Sequence, residues 1–190
     1  IIGGVYAKGI PTTNSNTLQA QVTVTVPGSY TISTNTVNGV SFSRTGTFSV
    51  VGPQNVLLFA SGTPTASGSN VFTLNYGNSQ CAFALNVAGD AAGTLGSNAG
   101  ACTTFTVNGT YQQGVIMNAG NTASVQVNVT TPGADNIQSD SVNGVRFSGV
   151  GIFATTGVQN VTLTANGTPE NSGAQNFPVT FGTSTCGFAI

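Results

Sequence analysis

Side chains able to carry acid–base or nucleophilic chemistry are scarce in this chain of 190 residues. It contains no histidine, so it cannot form the Ser-His-Asp arrangement that activates a serine nucleophile. The charged residues are three cations and four carboxylates, namely Lys8, Arg44, Arg146, Asp90, Asp135, Asp140 and Glu170. General acid–base catalysis by carboxylates needs two of them placed together, and no Asp or Glu precedes Asp90. We therefore predict that the protein is not an enzyme and has no catalytic residues.

The same composition argues against cofactors and several classes of partner. Without histidine a zinc site is not expected, and Asp90 alone is far short of the six to eight oxygen ligands that calcium takes. A net charge of −1 provides no basic surface for nucleic acid or for an anionic membrane. No apolar run approaches the length of a membrane-spanning helix. We predict no metal, no cofactor, no nucleic-acid partner and no membrane span.

An internal repeat is the strongest signal in the sequence. The stretch "TVNGVSFSRTGTFSVVGPQNV" at 36–56 returns as "SVNGVRFSGVGIFATTGVQNV" at 141–161, and the register holds without a gap over most of each repeat. The repeat predicts one domain at 1–87, a Gly- and Ala-rich linker at 88–101 and a second domain at 102–190. The lead-in "ACTTF" of the second repeat has no counterpart in the first, so we expect the first strand of repeat 1 to be incomplete.

Alternation of apolar and polar residues predicts strands in both repeats. In 18–26, "LQAQVTVTV", apolar residues occupy every second position, which is typical of a strand with one buried face. Asn38-Gly39 and Asn143-Gly144 lie between such runs and are strong signals for tight hairpins. About seven strands per repeat follow. We predict an all-β protein made of two tandem immunoglobulin-like antiparallel β-sandwiches.

The three cysteines make sense in the repeat register. Cys81 and Cys186 are equivalent, and Cys102 has no equivalent in the first repeat. We predict a disulfide between Cys102 and Cys186, with Cys81 paired outside this segment; the alternative is a Cys81–Cys102 bridge that leaves Cys186 free. Disulfides indicate an oxidising compartment, so we expect a secreted or cell-surface location.

Differences between the repeats suggest contact surfaces. Val51, Leu57 and Phe59 are predicted to face outward where repeat 2 has threonines, and repeat 2 has apolar replacements of its own at Ile116, Met117 and Ile152. These residues are the candidate interface, and self-association is one expected partnership. The other is completion of the first strand of repeat 1 from outside this segment, by upstream residues of the same chain, a neighbouring repeat or a neighbouring subunit. The candidate glycosylation sites are Ser141, Asn108, Asn128, Asn160 and Asn166.

The sequence resembles the tandem Ig-like repeats of large secreted or surface proteins from Bacteroidota-type bacteria. The likeness covers both repeats and is carried by "GSYTISTNTVNGVSFSRTGTF", "GPQNVLLFASGTPTASG" and the closing "CAFAL". It implies Ig-like sandwiches strung along a surface chain, and it carries over no catalytic residues. We expect a non-catalytic structural protein of an extracellular fibre, stalk or filament. The alternative is an adhesin or glycan-binding module on the same scaffold.

Overall fold

The computed structural model describes residues 1–98 and 100–190, and the chain divides into two compact units, Ile1–Gly89 and Asp90–Ile190. Every regular element in the described ranges is a β-strand. The prediction of an all-β protein is confirmed. Within the same ranges, no helix is long and apolar enough to span a membrane.

Unit 1 is built from seven strands that form one sheet. They are β1 (Ile2–Gly3), β2 (Thr17–Val24), β3 (Gly28–Thr34), β4 (Val40–Phe48), β5 (Gly52–Gly62), β6 (Gly68–Tyr76) and β7 (Ser79–Val87). Their order across the sheet is β1-β2-β5-β4-β3-β6-β7, and every neighbouring pair is antiparallel.

The sheet of unit 1 wraps around one apolar core. Residues from β2 to β7 belong to a single buried cluster, which a flat sheet could not form. Phe42 lies at its centre, with its ring centroid 5.6 Å from that of Phe72 and 5.7 Å from that of Phe83. The contact between β3 and β6 is only two residue pairs long, Ser33–Asn75 and Thr34–Leu74.

Unit 2 contains ten strands. They are β8 (Ala92–Leu95), β9 (Ser97–Asn98), β10 (Ala101–Cys102), β11 (Phe105–Asn108), β12 (Thr122–Thr131), β13 (Gly133–Ser139), β14 (Val145–Phe153), β15 (Gly157–Gly167), β16 (Asn176–Phe181) and β17 (Ser184–Ala189). The sheet order is β11-β12-β15-β14-β13-β16-β17-β10-β9, and β8 pairs with β12 beside this path. The pairing of β10 with β17 is parallel and the others are antiparallel.

Three strands have the same boundaries in both units in the repeat register, namely β3 and β13, β4 and β14, and β5 and β15. Asn38-Gly39 has φ values of 51° and 77°, and Asn143-Gly144 has 51° and 73°. Two consecutive positive φ values are the geometry of a type I′ turn, which Asn-Gly adopts with little strain. The predicted tight turns are therefore present in both units.

The predicted linker at 88–101 is replaced largely by strands of unit 2. Ala92–Leu95 forms β8 and pairs with β12, and Ala101 begins β10. Small residues alone suggested a flexible segment, but Leu95 is buried in the core of unit 2 and anchors the segment there. Unit 2 consequently begins at Asp90 rather than at residue 102. Ala99, which belonged to the predicted linker, lies outside the described residues.

Candidate interaction surfaces

A disulfide closes the second unit. Cys102 on β10 is bonded to Cys186 on β17, with 4.9 Å between the Cα atoms and 84 residues of sequence separation. Both cysteines are buried, and they lie in the apolar core cluster of unit 2. The predicted pairing of Cys102 with Cys186 is present, and the alternative Cys81–Cys102 bridge is wrong. The β17 strand carries Cys186 inward, because alternate residues of that strand face the core.

Cys81 is a free, exposed thiol on β7. Its side chain borders a surface groove of about 490 Å³ in unit 1. The groove lies between β2 and the β6–β7 hairpin, and its lining is half apolar and half polar. Its lining residues are Gln21, Val22, Thr23, Thr25, Ile32, Leu74, Tyr76, Ser79, Gln80 and Cys81. Sequence reasoning singled out Cys81 but not the groove, because a groove arises from strands that are distant in the chain.

The predicted interface residues of unit 1 do not form one continuous patch. Val51 and Leu57 are 63% and 46% exposed, as predicted for outward positions. Phe59 is only half-buried beneath the guanidinium of Arg44, whose central carbon lies 5.4 Å from the ring centroid. Since Val51 and Leu57 are six residues apart along an extended chain, about 20 Å separates them. Leu57 is an exposed large apolar residue on β5, two positions from the half-buried Phe59.

The predicted interface residues of unit 2 differ in their exposure to solvent. Ile116 is 72% exposed, and Ile152 on β14 is half-buried. Met117 is only 8% exposed and packs in the core cluster, so its assignment to an interface is wrong. Its backbone N–H donates to the carbonyl of Gly167 at 2.9 Å, and this bond holds the loop against β15 with the Met117 side chain inward.

Unit 2 also has a pocket of about 470 Å³ beside Tyr111. Amide side chains dominate its lining, including Gln113, Asn143 and Asn171. Several of these amides are already engaged within the protein: Gln113 Nε2 donates to the carbonyl of Glu170 at 2.9 Å, and Asn143 Nδ2 donates to the carbonyl of Asn171 at 2.8 Å. The Tyr111 hydroxyl donates to the carbonyl of Asn108 at 3.0 Å. Burial raises the pKa of Tyr111 above its ordinary value.

Two carboxylates lie close enough in unit 2 to influence each other. Asp135, on β13, is half-buried, and its pKa is raised by burial and, to a smaller extent, by the charge of Asp90. The backbone N–H of Asn136 donates to the carboxylate and opposes this rise. The bridge between Asp90 and Ala134 brings the two acids together. In the part of the chain that the structure describes, no cluster of three metal-ligating side chains is formed.

All five candidate glycosylation sites are exposed: Ser141, Asn108, Asn128, Asn160 and Asn166. Asn108 Nδ2 donates to Thr122 Oγ1 at 3.3 Å. In the Asn128 sequon, the hydroxyl of Thr130 donates to the carbonyl of Ala92 at 3.1 Å, so this sequon is tied to β8. Accessibility is compatible with modification at each site, and modification itself stays a prediction.

No protein-family model matches the chain, and no curated protein matches it.

Proposed function

We propose that the protein is a non-catalytic structural repeat of an extracellular bacterial surface fibre, stalk or filament. Supporting features are two units with matching strand order, a disulfide suited to an oxidising environment, and a surface that is nearly free of charge. The resemblance to surface repeats from Bacteroidota-type bacteria points in the same direction.

The observation that carries the proposal is the position of the disulfide relative to the chain's path through unit 2. The chain enters the unit along β8 to β10 and leaves along β17, and the Cys102–Cys186 bond joins these two segments. A pulling force along the chain would pass through this bond, so the 84-residue loop between the two cysteines cannot be extended. A bond that carries force past most of the unit in this way suits a load-bearing stalk.

The proposed scaffold is an immunoglobulin-like sandwich. In unit 1, the run β1-β2-β5-β4 corresponds to strands A-B-E-D of that fold, and the run β3-β6-β7 corresponds to C-F-G. The short pairing of β3 with β6 lies within the second run. The pairing of β3 with β4 joins the two runs into one sheet. Unit 2 repeats the same order with β12 to β17.

Single-molecule pulling on the full chain tests the load path. With the disulfide intact, unfolding of unit 2 should release little length. After reduction, or in a Cys102→Ser variant, the 84-residue loop should add about 300 Å of contour length. Equal release lengths in both states would refute a load path through the bond. Negative-stain microscopy of the native material tests the fibre itself; dispersed particles with no periodic assembly would count against it.

A glycan-binding module is the second candidate, and the pocket beside Tyr111 is the observation that favours it. Aromatic and amide side chains commonly line sites for sugars. Titration with a panel of bacterial-surface oligosaccharides, compared with a Tyr111→Ala variant, would test it. Binding that Tyr111→Ala abolishes would favour the adhesin function over the purely structural one.

A further inference from the structure

The groove beside Cys81 has a counterpart in unit 2 that is already filled. In the repeat register, Val22, Tyr76, Ser79 and Cys81 correspond to residues of unit 2 that pack against β8 and β10. Those counterparts are Val127, Phe181, Ser184 and Cys186. Unit 2 therefore shows what this kind of groove accepts.

The filling segment adds a strand to the outer edge of β12. Val127 pairs with Leu95, Asn128 with Thr94 and Val129 with Gly93. Leu95 is 3% exposed and enters the core, and its N–H donates to Ser184 Oγ at 3.0 Å. The carbonyl of Gln126 accepts from the N–H of Gly96 at 3.0 Å.

The second part of the segment reaches the other wall of the groove. The N–H of Gly187 on β17 donates to the carbonyl of Gly100 at 2.8 Å, and Ala101 pairs with Gly187 in parallel. The disulfide then fixes Cys102 to Cys186. One connecting segment therefore covers both walls of the groove, with a leucine at one wall and a cysteine seven residues later at the other.

Gly93 in this segment is required by the close packing of β8 against β12 and Phe181. A side chain at Gly93 would meet the ring of Phe181 at 2.7 Å and the Cα of Val129 at 3.0 Å. Only a residue without a Cβ lets the backbone approach β12 this closely. The pattern that fits the groove is thus Gly-x-Leu followed by a cysteine.

The matching groove of unit 1 is open. Within residues 1–89, β1 pairs with β2 only at Thr17 and Leu18, and no strand pairs with the outer edge of β2 over residues 21–25. The exposure of two residues that line the groove, one on β2 and one on β7, shows the consequence. Val22 is half-exposed where Val127 is fully buried, and Cys81 is exposed where Cys186 is 3% exposed.

We propose that this groove binds a donor segment from a neighbouring polypeptide. The donor has the chemistry of Ala92–Cys102, in which the strand β8 is followed by the two short strands β9 and β10, which pair with each other. The donor pairs with the outer edge of β2, places its leucine against Val22 and Leu74, and brings its cysteine to Cys81. Unpaired strand edges are sites for such strand addition. The inference rests on the proposed function for its source, since fibre assembly is what brings a second polypeptide to this edge.

The covalent step is the formation of one disulfide. Two thiols, Cys81 and the donor cysteine, lose two electrons and two protons, and a disulfide oxidant accepts them and becomes a dithiol. An oxidising extracellular compartment supplies oxidants of that class. If the donor cysteine already carries a small thiol, the Cys81 thiolate attacks the donor sulfur and the small thiol leaves with the proton.

A synthetic peptide tests the groove directly. The probe is "AAGTLGSNAGACT", residues 91–103, with its cysteine linked to glutathione, added to the intact 190-residue chain. Cys81 should form the mixed disulfide with the peptide at least tenfold faster than it reacts with oxidised glutathione alone. A peptide with its cysteine changed to serine should slow hydrogen exchange at the amides of Gln21–Thr25.

Matched controls separate recognition from simple thiol reactivity. Peptides with Leu95→Asp or Gly93→Val should lose the rate advantage while leaving the protein unchanged. In the protein, Cys81→Ser should abolish coupling, and Leu57→Thr, outside the groove, should not affect it. If the variant peptides react as fast as the parent, or if Gln21–Thr25 shows no protection, the groove is not a strand-binding site.

The source of the donor is tested on native material. Non-reducing electrophoresis should give a ladder of polypeptides joined through Cys81, which reduction collapses to one band. A single band, with Cys81 bonded to a cysteine of its own polypeptide in a peptide map, would overturn the neighbouring source. Peptide coupling does not require fibres, so failure of the strand site and failure of the fibre proposal give different results.

Discussion

The backbone N–H of Leu95 donates a hydrogen bond to the hydroxyl oxygen of Ser184, with 3.0 Å between nitrogen and oxygen and a sequence separation of 89. This bond links β8 to the start of β17 while β8 itself pairs with β12. We call Ala92–Cys102, the segment by which the chain enters unit 2, the entry segment. It connects β12 and β17, between which the sheet would otherwise have an open side.

Truncating Leu95 should destabilise unit 2 alone. A Leu95→Ala change removes a side chain that is 3% exposed, and such truncations in a core cost about 2–5 kcal/mol. Hydrogen exchange should accelerate in β16 and β17 while β6 and β7 keep their protection. The neighbouring, exposed Thr94→Ala is the matched control and should leave both units unchanged. Equal acceleration in both units would contradict the assignment of Leu95 to the core of unit 2.

Removing the disulfide should weaken unit 2 more than any single truncation on its surface. In a Cys81→Ser background, which prevents reshuffling, Cys102→Ser opens an 84-residue loop. The chain-entropy model gives a loss of roughly 4–5 kcal/mol for a loop of this length. Denaturant unfolding, followed by exchange at unit 2 amides, measures the loss. A change below about 1 kcal/mol would show that β8 and the core hold the unit without the bond.

Much of the fold was predictable because each strand and turn pattern occurs in both repeats and can be compared between them. The alternation in β2 and β12, the two Asn-Gly turns and the Cys102–Cys186 pair all follow from local pattern and register. Hairpin turns need only two residues with positive φ, so sequence alone identifies them. The all-β class needed nothing more.

The entry segment was not predictable from its composition. "AGDAAGTLGSNAG" is rich in small residues that favour a linker, and only Leu95 has a large apolar side chain. Leu95 is buried between β12 and β17, and these strands are too far apart in the sequence for their proximity to be read from it. The sequence predicted that the first strand of repeat 1 is completed from outside, but it did not predict the groove, because the groove is lined by strands that are distant in the chain. Met117 was misassigned because a single apolar residue in a loop gives no sign of the direction it faces.

The stability of unit 2 should fall as the pH rises through the titration of Asp135. Burial raises the pKa of Asp135 in the folded protein above the ordinary value of 3.8, so the folded state binds more protons than the unfolded state between the two values. Stability is greatest below the unfolded pKa and is lost as the pH rises through the folded one. Asp135→Asn should flatten this dependence and raise stability at neutral pH. Melting curves from pH 3 to 7, with the exposed Asp140→Asn as control, would show it; an unchanged slope would contradict it.

Replacing Leu57 should weaken self-association of the protein and leave its folding stability almost unchanged. Leu57→Thr copies the residue at the matching position of unit 2, and an exposed substitution of this kind changes folding stability by less than about 0.5 kcal/mol. Phe59→Thr should cost about 0.5–1 kcal/mol, because it removes the ring beneath the Arg44 guanidinium. Sedimentation velocity should show weaker self-association for Leu57→Thr. Association equal to that of the wild type would remove Leu57 from the interface.

Two glycines with the same backbone conformation allow the cost of a close contact to be measured. Gly62 and Gly68 both have φ of +113°, so alanine at either position carries the strain of a region that L-residues rarely adopt. At Gly62 an added Cβ would collide with the carbonyl of Gly39 in the Asn38-Gly39 turn, whereas at Gly68 it would meet nothing within 4 Å. Gly62→Ala should therefore be less stable than Gly68→Ala by at least about 1 kcal/mol, because the end of β5 and the Asn38-Gly39 turn must move apart.

The repeat provides a second test, since Gly167 has φ of +114° and its added Cβ would meet the carbonyl of Gly144. Thermal unfolding of the variants gives the comparison. Equal losses at Gly62 and Gly68 would mean that backbone strain alone, and not the packing of the turn against β5, explains the glycine.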